Sequence, residues 1–475
     1  MMSETPATTA IIWFRNDLRL SDNAALIKAC QHENVVPLYI YDENAARRLG
    51  AAKRLWLHYA LDNLILNLRS VGAELILRIG DESGVLEDVI NKTNADAVYW
   101  NRRYEPQAIA TDTELKRSLK DKNIQVESFK GHLLHEPTQL TTKAGTPFRV
   151  FTPFWKTLDA TIEVETPYPA PESIPSNTGE LSSVALTELD LLPSKPDWSG
   201  SILERFTPGE TAAHKILTNY LEGDVANYKD HRDFPALDAT SKLSPYLTFG
   251  EISPRQIWFA SENVSGAQPF RRQLAWRDFS YHLLFHNPGL DEINFNNAFD
   301  EFQWDKNDEL LSIWKKGRTG YPIVDAGMRE LWQTGYMHNR VRMIVASFLT
   351  KHLLIDWREG EKWFWDTLVD ADPANNTAGW QWVAGSGADA SPYYRIFNPI
   401  IQGKKFDTDG EYVKKYVPEL KNLDAKYIHA PWETPEHVLK SISLELGRDY
   451  PKPIVEHGFA RNRALEAYGQ MKQAA

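Results

Sequence analysis

Along the first third of the chain, segments with the apolar pattern of buried strands alternate with segments that have the apolar spacing of helices. Short apolar runs with the length and composition of buried strands lie at Ala10–Phe14, Val35–Tyr41, Glu74–Ile79, Asp96–Trp100 and Ile124–Ser128. Helical spacing fills the intervals at 22–31, 51–70, 82–93 and 106–121. Because strands that alternate with helices pair in parallel through right-handed crossovers, this region predicts a doubly wound α/β sheet.

The predicted sheet lacks the glycine-rich turn of a dinucleotide-binding domain. No G-x-G-x-x-G follows the first strand, so the sequence does not indicate an NAD site. Ligands of parallel sheets nevertheless sit at the carboxyl ends of the strands. We therefore expect a ligand near the loops after Phe14, Tyr41 and Trp100.

The pattern changes after the sheet. The stretch from about 161 to 200 is rich in Pro, Ser and acidic residues, which is typical of a surface linker. Thr207–Glu210 has the pattern of a capping box and predicts a helix that ends at Gly223. Helical spacing then dominates. We predict an α/β domain over 1–135, a linker over 136–200 and an all-helical domain over 201–475.

Composition places the chain among soluble globular proteins. Its 475 residues are 42% apolar and 25% charged, which predicts two or three domains. No apolar run is long enough to cross a membrane and the N-terminus lacks the features of a signal peptide, so we expect a cytoplasmic protein without membrane partners. The single cysteine, Cys30, excludes an internal disulfide and a cysteine-ligated metal site, and we expect no metal.

The net charge of -11 argues against DNA binding when it is taken alone, because phosphate contacts need Lys and Arg. Net charge is a sum over the whole surface, however, and the region 229–405 contains many Lys and Arg residues. We predict a local basic face there. The alternative is an ordinary solvated surface.

Residues 356–399 contain the densest group of rings and short polar side chains in the sequence. Trp357, Trp380 and Trp382 stand beside the acids Asp370 and Asp372 in this segment, together with Trp363, Trp365, Asn375 and Asn376. Flat rings, amides and small residues suit a large planar cofactor or stacked bases better than they suit a plain helical core.

Three further segments carry polar groups that need an explanation. Thr240–Ser244 puts hydroxyls and a cation before a Pro-led helix, which indicates an anion site or a simple helix cap. Arg277 lies in an apolar helix and must find a partner, such as an acid on another helix. Arg342 could form a bidentate pair with Asp370. Together these segments predict a planar cofactor and an anionic ligand in a helical domain.

The chain resembles the DNA photolyase and cryptochrome family along nearly its whole length. The motifs that carry the resemblance are IIWFRNDLRLSDNAAL, TSKLSPYLTFGEISPRQ, LAWRDFSYHLL, TGYMHNRVRMIVASFL, and DADPANNTAGWQW followed by YYRIFNP. The resemblance implies an N-terminal α/β antenna domain and a C-terminal helical domain that binds one bent FAD per chain. It also implies a monomer that repairs pyrimidine dimers in DNA by light-driven electron transfer, or a blue-light receptor.

The resemblance assigns cofactor contacts to positions that match the family motifs. For the phosphates, ribose and neighbouring parts of FAD these are Tyr228, Thr240, Ser241, Lys242, Leu243, Ser244 and Phe270. For the isoalloxazine and the rest of the bent cofactor they are Arg277, Asn339, Arg342, Asp370, Asp372 and Asn376. Asn376 resembles the residue that faces the flavin N5, where a neutral amide can donate or accept a hydrogen bond.

The resemblance also assigns a lesion side and a path for electrons. The lesion residues are Arg232, Gln273, Trp276, Arg340, Met343 and Trp382, which combine ring faces for a flipped base with cations for phosphates. The electron-hopping residues are Trp304, Trp357 and Trp380. With Asn376 and Gln273 they form the set expected to take part in catalysis.

Four positions bear on the choice of substrate. Six-four photolyases place histidines where Asn339 and Met343 stand, and plant cryptochromes tend to have Asp where Asn376 stands. Both comparisons favour repair of cyclobutane dimers over six-four repair and over signalling. Gln273 is a departure, because cyclobutane photolyases commonly have Glu there.

The prediction of the antenna cofactor depends on one residue. Glu105, after the fourth predicted strand, resembles the carboxylate that binds a folate antenna, so we expect methenyltetrahydrofolate, with a deazaflavin as the alternative. A plain acid at a helix start explains Glu105 equally well.

Overall fold

The computed structural model describes residues 8–45, 47–179, 181–390 and 394–474, which form two compact units. The first unit contains the chain to Ala226 together with Ser241–Pro288. The second contains Asn227–Thr240 together with the chain from Gly289. These units do not coincide with the predicted boundary at residue 201. The division into three domains stays a prediction.

A parallel sheet forms the centre of the first unit. Its strands are β1 (Thr9–Phe14), β2 (Asn34–Tyr41), β3 (Ile76–Ile79), β4 (Ala97–Asn101) and β5 (Gln125–Phe129), in the spatial order β3-β2-β1-β4-β5. On the central strand β1, Trp13 lies opposite Leu38 of β2 and Trp100 of β4. All three side chains are buried because helices cover a sheet of this kind on both faces. The predicted strands are confirmed, with small shifts at their ends.

The helices up to residue 222 are α1 (Ala24–Ala29), α2 (Ala51–Ser70), α3 (Glu82–Thr93), α4 (Pro106–Asp121), α5 (Phe151–Thr161), α6 (Gly200–Arg205) and α7 (Glu210–Glu222). Helix α5 lies inside the segment predicted as linker. The predicted capping box before α7 is wrong, because Gly209 is the N-cap and makes no side-chain hydrogen bond. The Glu210 carboxylate instead accepts from the backbone N–H of Leu20 at 2.8 Å and of Ser21 at 2.9 Å.

The short helix α8 (Tyr228–His231) belongs to the second unit, and the chain then returns to the first unit. There it forms α9 (Ser244–Thr248), α10 (Pro254–Ser261) and α11 (Gln268–His286). Helix α11 packs on α5. Eight of the residues assigned from sequence therefore lie in α11, at the start of α9 or directly before α9.

The rest of the second unit is helical. Its α-helices are α12 (Asp308–Lys315), α13 (Pro322–Thr334), α14 (Asn339–Ser347), α15 (Trp357–Thr367), α16 (Pro373–Ala384), α17 (Pro399–Phe406), α18 (Glu411–Tyr416), α19 (Ala425–Ile428), α20 (Glu436–Ser441) and α21 (His457–Ala474). A π-helical turn at Phe348–His352 follows α14. Single 3₁₀ turns across the chain lie at Leu186–Leu189, Asp224–Asn227, Asn297–Glu301, Pro418–Leu420 and Pro431–Glu433.

The core of the second unit is aromatic and aliphatic. Trp314, Val345, Trp357 and Leu420 are fully buried in it. Across the part of the chain that the structure describes, no helix is both long and apolar enough to span a bilayer. The predicted fold class, a parallel α/β sheet followed by a helical domain, is confirmed.

Candidate functional site

Arg342 and Asp370 form an ion pair in the second unit. Nη2 of Arg342 donates to both carboxylate oxygens of Asp370, at 3.0 and 2.9 Å, and Nε donates to the carbonyl of Met337 at 2.7 Å. The predicted pair is confirmed, and both carboxylate oxygens of Asp370 take part, but through one guanidinium nitrogen and not through two. Burial disfavours the charge and Asp370 favours it, and the net effect raises the pKa of Arg342. Arg342 therefore stays protonated, with its charge fixed beside the carboxylate of Asp370.

Asn376, in the first turn of α16, is oriented by Glu361 of α15. Its Nδ2 donates to Glu361 Oε1 at 2.8 Å and to the Glu361 carbonyl at 3.1 Å. An amide nitrogen carries two hydrogens, and these two bonds use both. The side chain therefore offers a ligand its carbonyl oxygen, an acceptor. The prediction that this amide could either donate or accept a hydrogen bond is therefore narrowed to acceptance.

Asp372 is the N-cap of α16. Its Oδ1 accepts from the backbone N–H of Ala374 at 3.0 Å and of Asn375 at 2.8 Å, and from the Asn375 side chain at 2.8 Å. Capping by Asp satisfies donors that the first turn of a helix leaves unpaired. The sequence analysis missed this role, although Asp before Pro at a helix start could have indicated it. A cofactor contact of Asp372 stays a prediction.

Helix α14 carries three more of the predicted residues. Asn339 is exposed at its first position, and Met343 is partly buried against the core of the second unit. Nη2 of Arg340 pairs with Asp233 at 2.9 Å, and its guanidinium lies 4.4 Å from the ring centroid of Phe406. Arg340 therefore already has an acidic partner, which a DNA phosphate would have to replace.

The segment from Tyr228 to Thr240 is also part of the second unit. The Arg232 guanidinium lies 5.7 Å from the ring centroid of Tyr228, and Thr240 hydrogen-bonds the side chain of Tyr336. Burial raises the pKa of Tyr228 to about 12 and lowers the pKa of His338 to about 4. Both groups are therefore neutral at physiological pH.

Trp382, on α16, completes the predicted lesion residues of the second unit. Its ring is partly buried against the core, and Nε1 donates to the carbonyl of Asp389 at 3.1 Å. A Trp whose N–H is satisfied by its own chain keeps its ring faces for stacking.

The three predicted electron-hopping residues share the core of the second unit. Trp357 is fully buried and donates to Asn294 at 3.0 Å, whereas Trp304 is only partly buried. Trp380 lies directly against Gly360 of α15, where a Cβ would meet its ring at 2.1 Å. Gly360 is therefore required for the position of Trp380, and only the packing of α15 on α16 reveals this.

In the first unit, Ser241–Ser244 leads into α9 without a side-chain cap at Leu243. Leu243 is the N-cap, and no side chain makes a cap hydrogen bond. The Ser241 hydroxyl accepts from the backbone N–H of Leu243 at 3.4 Å, and Lys242 has a left-handed φ of 54°. The alternative of a simple helix cap is therefore wrong, and a strained non-glycine residue at this turn is typical of functional segments.

Helix α11 places Arg277 and Gln273 in hydrogen bonds within the first unit. Arg277 donates to the carbonyl of His132 at 2.6 Å and to its Nε2 at 2.7 Å. The buried Arg thus has a partner as predicted, but the expected acid on another helix is wrong. Gln273 donates from Nε2 to the carbonyl of Pro269 at 3.3 Å, one turn back in the same helix. Oε1 and the second hydrogen of Nε2 are both suited to a ligand.

Two aromatic residues of α11 also have ring partners in the first unit. Phe270 meets Tyr220 edge to face with centroids 5.0 Å apart. Trp276 stacks on Phe151 with centroids 3.6 Å apart and planes 10° from parallel. Sequence reasoning missed Phe151 because it lies in the segment predicted as linker.

The carboxyl ends of β1 and β4 carry a buried polar network. Arg15 donates to Asp112 at 2.6 Å, and the Asn101 amide donates to Asp17 at 2.6 Å. At these two strands, protein groups therefore pair with one another in the loops where a ligand is expected. Among the residues with described coordinates, no three His, Cys, Asp or Glu side chains are grouped so that they could hold a metal ion.

Glu105 is the N-cap of α4, but its side chain makes no cap hydrogen bond. Oε2 accepts instead from the backbone N–H of Tyr104 at 3.0 Å. A role in binding an antenna cofactor stays a prediction.

Profiles of known families match both parts of the chain. A profile described as DNA photolyase matches residues 10–172, and one described as the FAD binding domain of DNA photolyase matches residues 270–470. The second range includes α14, α15 and α16, which carry the Arg342–Asp370 pair and Asn376.

Individual relatives agree with the profiles. The chain is 53% identical to a deoxyribodipyrimidine photo-lyase of Agrobacterium fabrum over 98% of both proteins. It is 37% identical to cryptochrome-2 of Arabidopsis thaliana, over 98% of this chain and 79% of that protein. The crystal structure of a bacterial class III photolyase from Agrobacterium tumefaciens superposes with a TM-score of 0.96 at 52% identity, covering 100% of this chain and 99% of that one. The chain belongs to the DNA photolyase and cryptochrome family.

Proposed function

We propose that this protein is a deoxyribodipyrimidine photo-lyase that splits cyclobutane pyrimidine dimers in DNA under light. The similarity to the photo-lyase of Agrobacterium fabrum, over 98% of both chains, supports the reaction class. The orientation of Asn376 carries the proposal at the level of the site. Because Glu361 takes both amide hydrogens, Asn376 presents an acceptor, which suits the N5–H of a reduced flavin.

The described residues fit a bound FAD. The FAD-binding profile covers α14 to α16. The polar groups there include the cation of Arg342 and the carbonyl oxygen of Asn376, which accepts hydrogen bonds. When bound, reduced FAD supplies the excited-state electron that opens the dimer, while the protein binds, orients and excludes water. We assign Arg342, Asp370 and Asn376 to the isoalloxazine.

The other cofactor assignments are proposed from motif position. In the second unit they are Tyr228, Thr240, Asn339 and Asp372. In the first unit they are Ser241, Lys242, Leu243, Ser244, Phe270 and Arg277. The hydroxyl groups and the cation of the Ser241–Ser244 run support a ligand-binding role for this segment.

For the DNA side we assign base stacking to Trp276 and Trp382, and phosphate contacts to Arg232 and Arg340. Met343 would contact the dimer as an adaptable apolar group. Gln273 would hydrogen-bond a base edge through Oε1 or through the second hydrogen of Nε2, since only one Nε2 hydrogen is used by Pro269. The partner is DNA that contains pyrimidine dimers, acted on by a monomer in the cytoplasm.

Trp304, Trp357 and Trp380 are proposed to return electrons to oxidised flavin. Their common location in one core supports this role. For the antenna we propose methenyltetrahydrofolate beside Glu105, with a deazaflavin as the alternative. The absorption spectrum of the purified protein separates these two, since each has its own band.

Repair of defined lesions tests the proposed reaction. Purified, chemically reduced enzyme is illuminated with oligonucleotides that carry either one cyclobutane dimer or one six-four product, with dark samples as controls. We expect light-dependent loss of the cyclobutane dimer alone. Loss of the six-four product would assign the enzyme to the other lesion. No loss of either would favour the receptor function of cryptochromes, to one of which the chain is 37% identical.

A further inference from the structure

Helices α5 and α11 of the first unit pack against each other through a row of aromatic side chains. Phe151 and Phe154 of α5 face Trp276, Phe279 and His282 of α11, which are spaced three residues apart. Phe154 meets Phe279 with centroids 5.2 Å apart and His282 at 5.4 Å, and both pairs are tilted by about fifty degrees, as aromatic side chains in cores usually are.

The pair at the end of this row, Phe151 and Trp276, has a different geometry. Phe151 and Trp276 lie face to face at 3.6 Å with their planes 10° apart. Phe151 is 1% exposed, whereas Trp276 is only partly buried. Phe279 meets Trp276 at an interplanar angle of 76°, with centroids 5.9 Å apart. Phe151 therefore covers one face of the indole.

A cation lies beside this stack. The Arg272 guanidinium is 5.2 Å from the ring centroid of Phe151. A parallel, closely overlapping pair is not the arrangement that ring quadrupoles favour, so helix packing and not ring attraction selects it. The result is an indole whose plane is determined by a rigid, buried neighbour.

We propose that Phe151 is a positioning residue for Trp276, which it holds so that one indole face remains for an extruded pyrimidine. The inference rests on the proposed function, in which Trp276 stacks on the dimer. Because Phe151 fixes the indole of Trp276 before binding, this side chain loses little rotational freedom when a base stacks on it. The saving raises the affinity for the dimer about three- to tenfold.

The position of Phe151 explains why this role is not visible from sequence. It is the first residue of a helix in a segment whose flanks are rich in Pro and acids, and it is far in sequence from Trp276. Only the packing of α5 on α11 brings the rings together. A structural role alone would not require the parallel geometry, because Phe154 packs on the same helix without it.

The test compares Phe151→Leu with Phe154→Leu. Both variants remove a buried ring from the same face of α5, but Phe154 has no ring contact with Trp276. The measurements are Kd for single-stranded oligonucleotides with and without one cyclobutane dimer, the KM and kcat of pre-reduced enzyme, and thermal unfolding. Phe151→Leu is expected to raise Kd and KM for the dimer about fivefold. Its kcat at saturation and its Kd for undamaged DNA should stay within about twofold.

The control and a second background separate positioning from stability. Phe154→Leu should leave dimer affinity within about twofold while it lowers the unfolding temperature as much as Phe151→Leu does. In a Trp276→Leu background, Phe151→Leu should no longer change dimer affinity. If Phe151→Leu does not fold, Phe151→Met, which keeps the volume, is measured in its place.

Equal weakening of dimer binding by the two leucine variants would overturn the proposal, and so would unchanged binding by Phe151→Leu. The proposal would also be overturned if Phe151→Leu raised the Kd for the dimer as much in the Trp276→Leu background as it does in wild type. The underlying function fails in a different way: wild-type enzyme would then show no preference for the dimer over undamaged DNA.

Discussion

The carboxylate of Glu361 accepts a hydrogen bond from the side-chain amide of Asn376 at 2.8 Å, and the carbonyl of the same glutamate accepts the second amide hydrogen at 3.1 Å. Glu361 is 3% exposed, so water does not compete for the pair. A single residue of α15 thereby decides which atom of Asn376 is turned toward a ligand.

Replacing this amide by an acid should make stability depend on pH. In Asn376→Asp, two carboxyls would stand at hydrogen-bond distance, so one of them must keep a proton and its pKa rises above its unfolded value. Stability from a raised acid pKa is present at low pH and lost as pH rises through the folded value. We expect the variant to lose about 2 kcal/mol or more relative to wild type between about pH 5 and 8, measured by urea unfolding.

The double variant Glu361→Gln/Asn376→Asp is the control, because it restores an amide opposite a carboxylate. Its unfolding free energy should depend on pH as little as that of wild type. A single Asn376→Asp variant with a flat pH profile would show that the two side chains do not share a buried hydrogen bond.

The Arg342–Asp370 pair should be costly to break. Asp370→Asn removes a carboxylate that is 3% exposed and leaves the partly buried guanidinium of Arg342 without its charge partner, which costs up to about 3 kcal/mol. We expect a loss of that order in urea unfolding and a lower flavin content after purification. Asp356→Asn is the matched control, since Asp356 pairs with Arg358 at 3.0 Å with both side chains more than a quarter exposed. That substitution should cost less than about 1 kcal/mol.

The hopping role of Trp380 can be separated from its packing role. Trp380→Phe keeps a ring in the core at a cost of about 1–2 kcal/mol, but it removes the readily oxidised indole. Photoreduction of oxidised flavin by an external reductant should fall sharply, while repair by chemically pre-reduced enzyme changes little. Trp432→Phe, at a ring that packs edge to face on Tyr321, should leave photoreduction intact. Unchanged photoreduction in Trp380→Phe would remove this residue from the electron path.

The sequence predicted those parts of the molecule that depend on local patterns. Runs such as Ala10–Phe14 and Val35–Tyr41 identified the strands, because buried parallel strands are apolar on both faces. The Arg342–Asp370 pair was also predictable, since a buried Arg needs an acid and the family motifs place the two near each other. The capping box predicted at Thr207–Glu210 failed because of long-range partners. Glu210 serves the backbone of Leu20 and Ser21 instead of its own helix.

Within the candidate site, sequence located residue types but not the contacts that orient them. Glu361 and Gly360 were not singled out, because one looks like a surface acid and the other like a helix breaker. Their roles arise from the packing of α15 on α16, which no periodicity within either helix encodes. Phe151 was missed for the same reason.

Gly360 should therefore be unusually intolerant of substitution. A Cβ at this position would lie 2.1 Å from the ring of Trp380, so Gly360→Ala must displace the indole or the helix, with an expected cost of about 1–3 kcal/mol. Gly379→Ala is a matched control, because Gly379 also lies in a helix and a Cβ there meets nothing within 4 Å. It should stabilise the protein by about 0.5–1 kcal/mol through helix propensity. Thermal unfolding measures both. Equal effects of the two substitutions would contradict the close approach of Trp380.

His282 should contribute to loss of stability in acid. Burial lowers its pKa from 6.5 to about 4, and its Nε2 accepts from the backbone N–H of Phe148 at 3.0 Å, which only the neutral ring can do. A lowered histidine pKa means that the unfolded chain binds the proton first, so this stability is present above pH 6.5 and is lost as pH falls toward 4, by about 3 kcal/mol in total. His282→Gln keeps an acceptor but cannot titrate, so its unfolding free energy should fall less steeply over this interval than that of wild type. His437→Gln, at an exposed position on α20, should follow the wild-type curve. Parallel curves for wild type and His282→Gln would show that protonation of His282 does not drive acid unfolding.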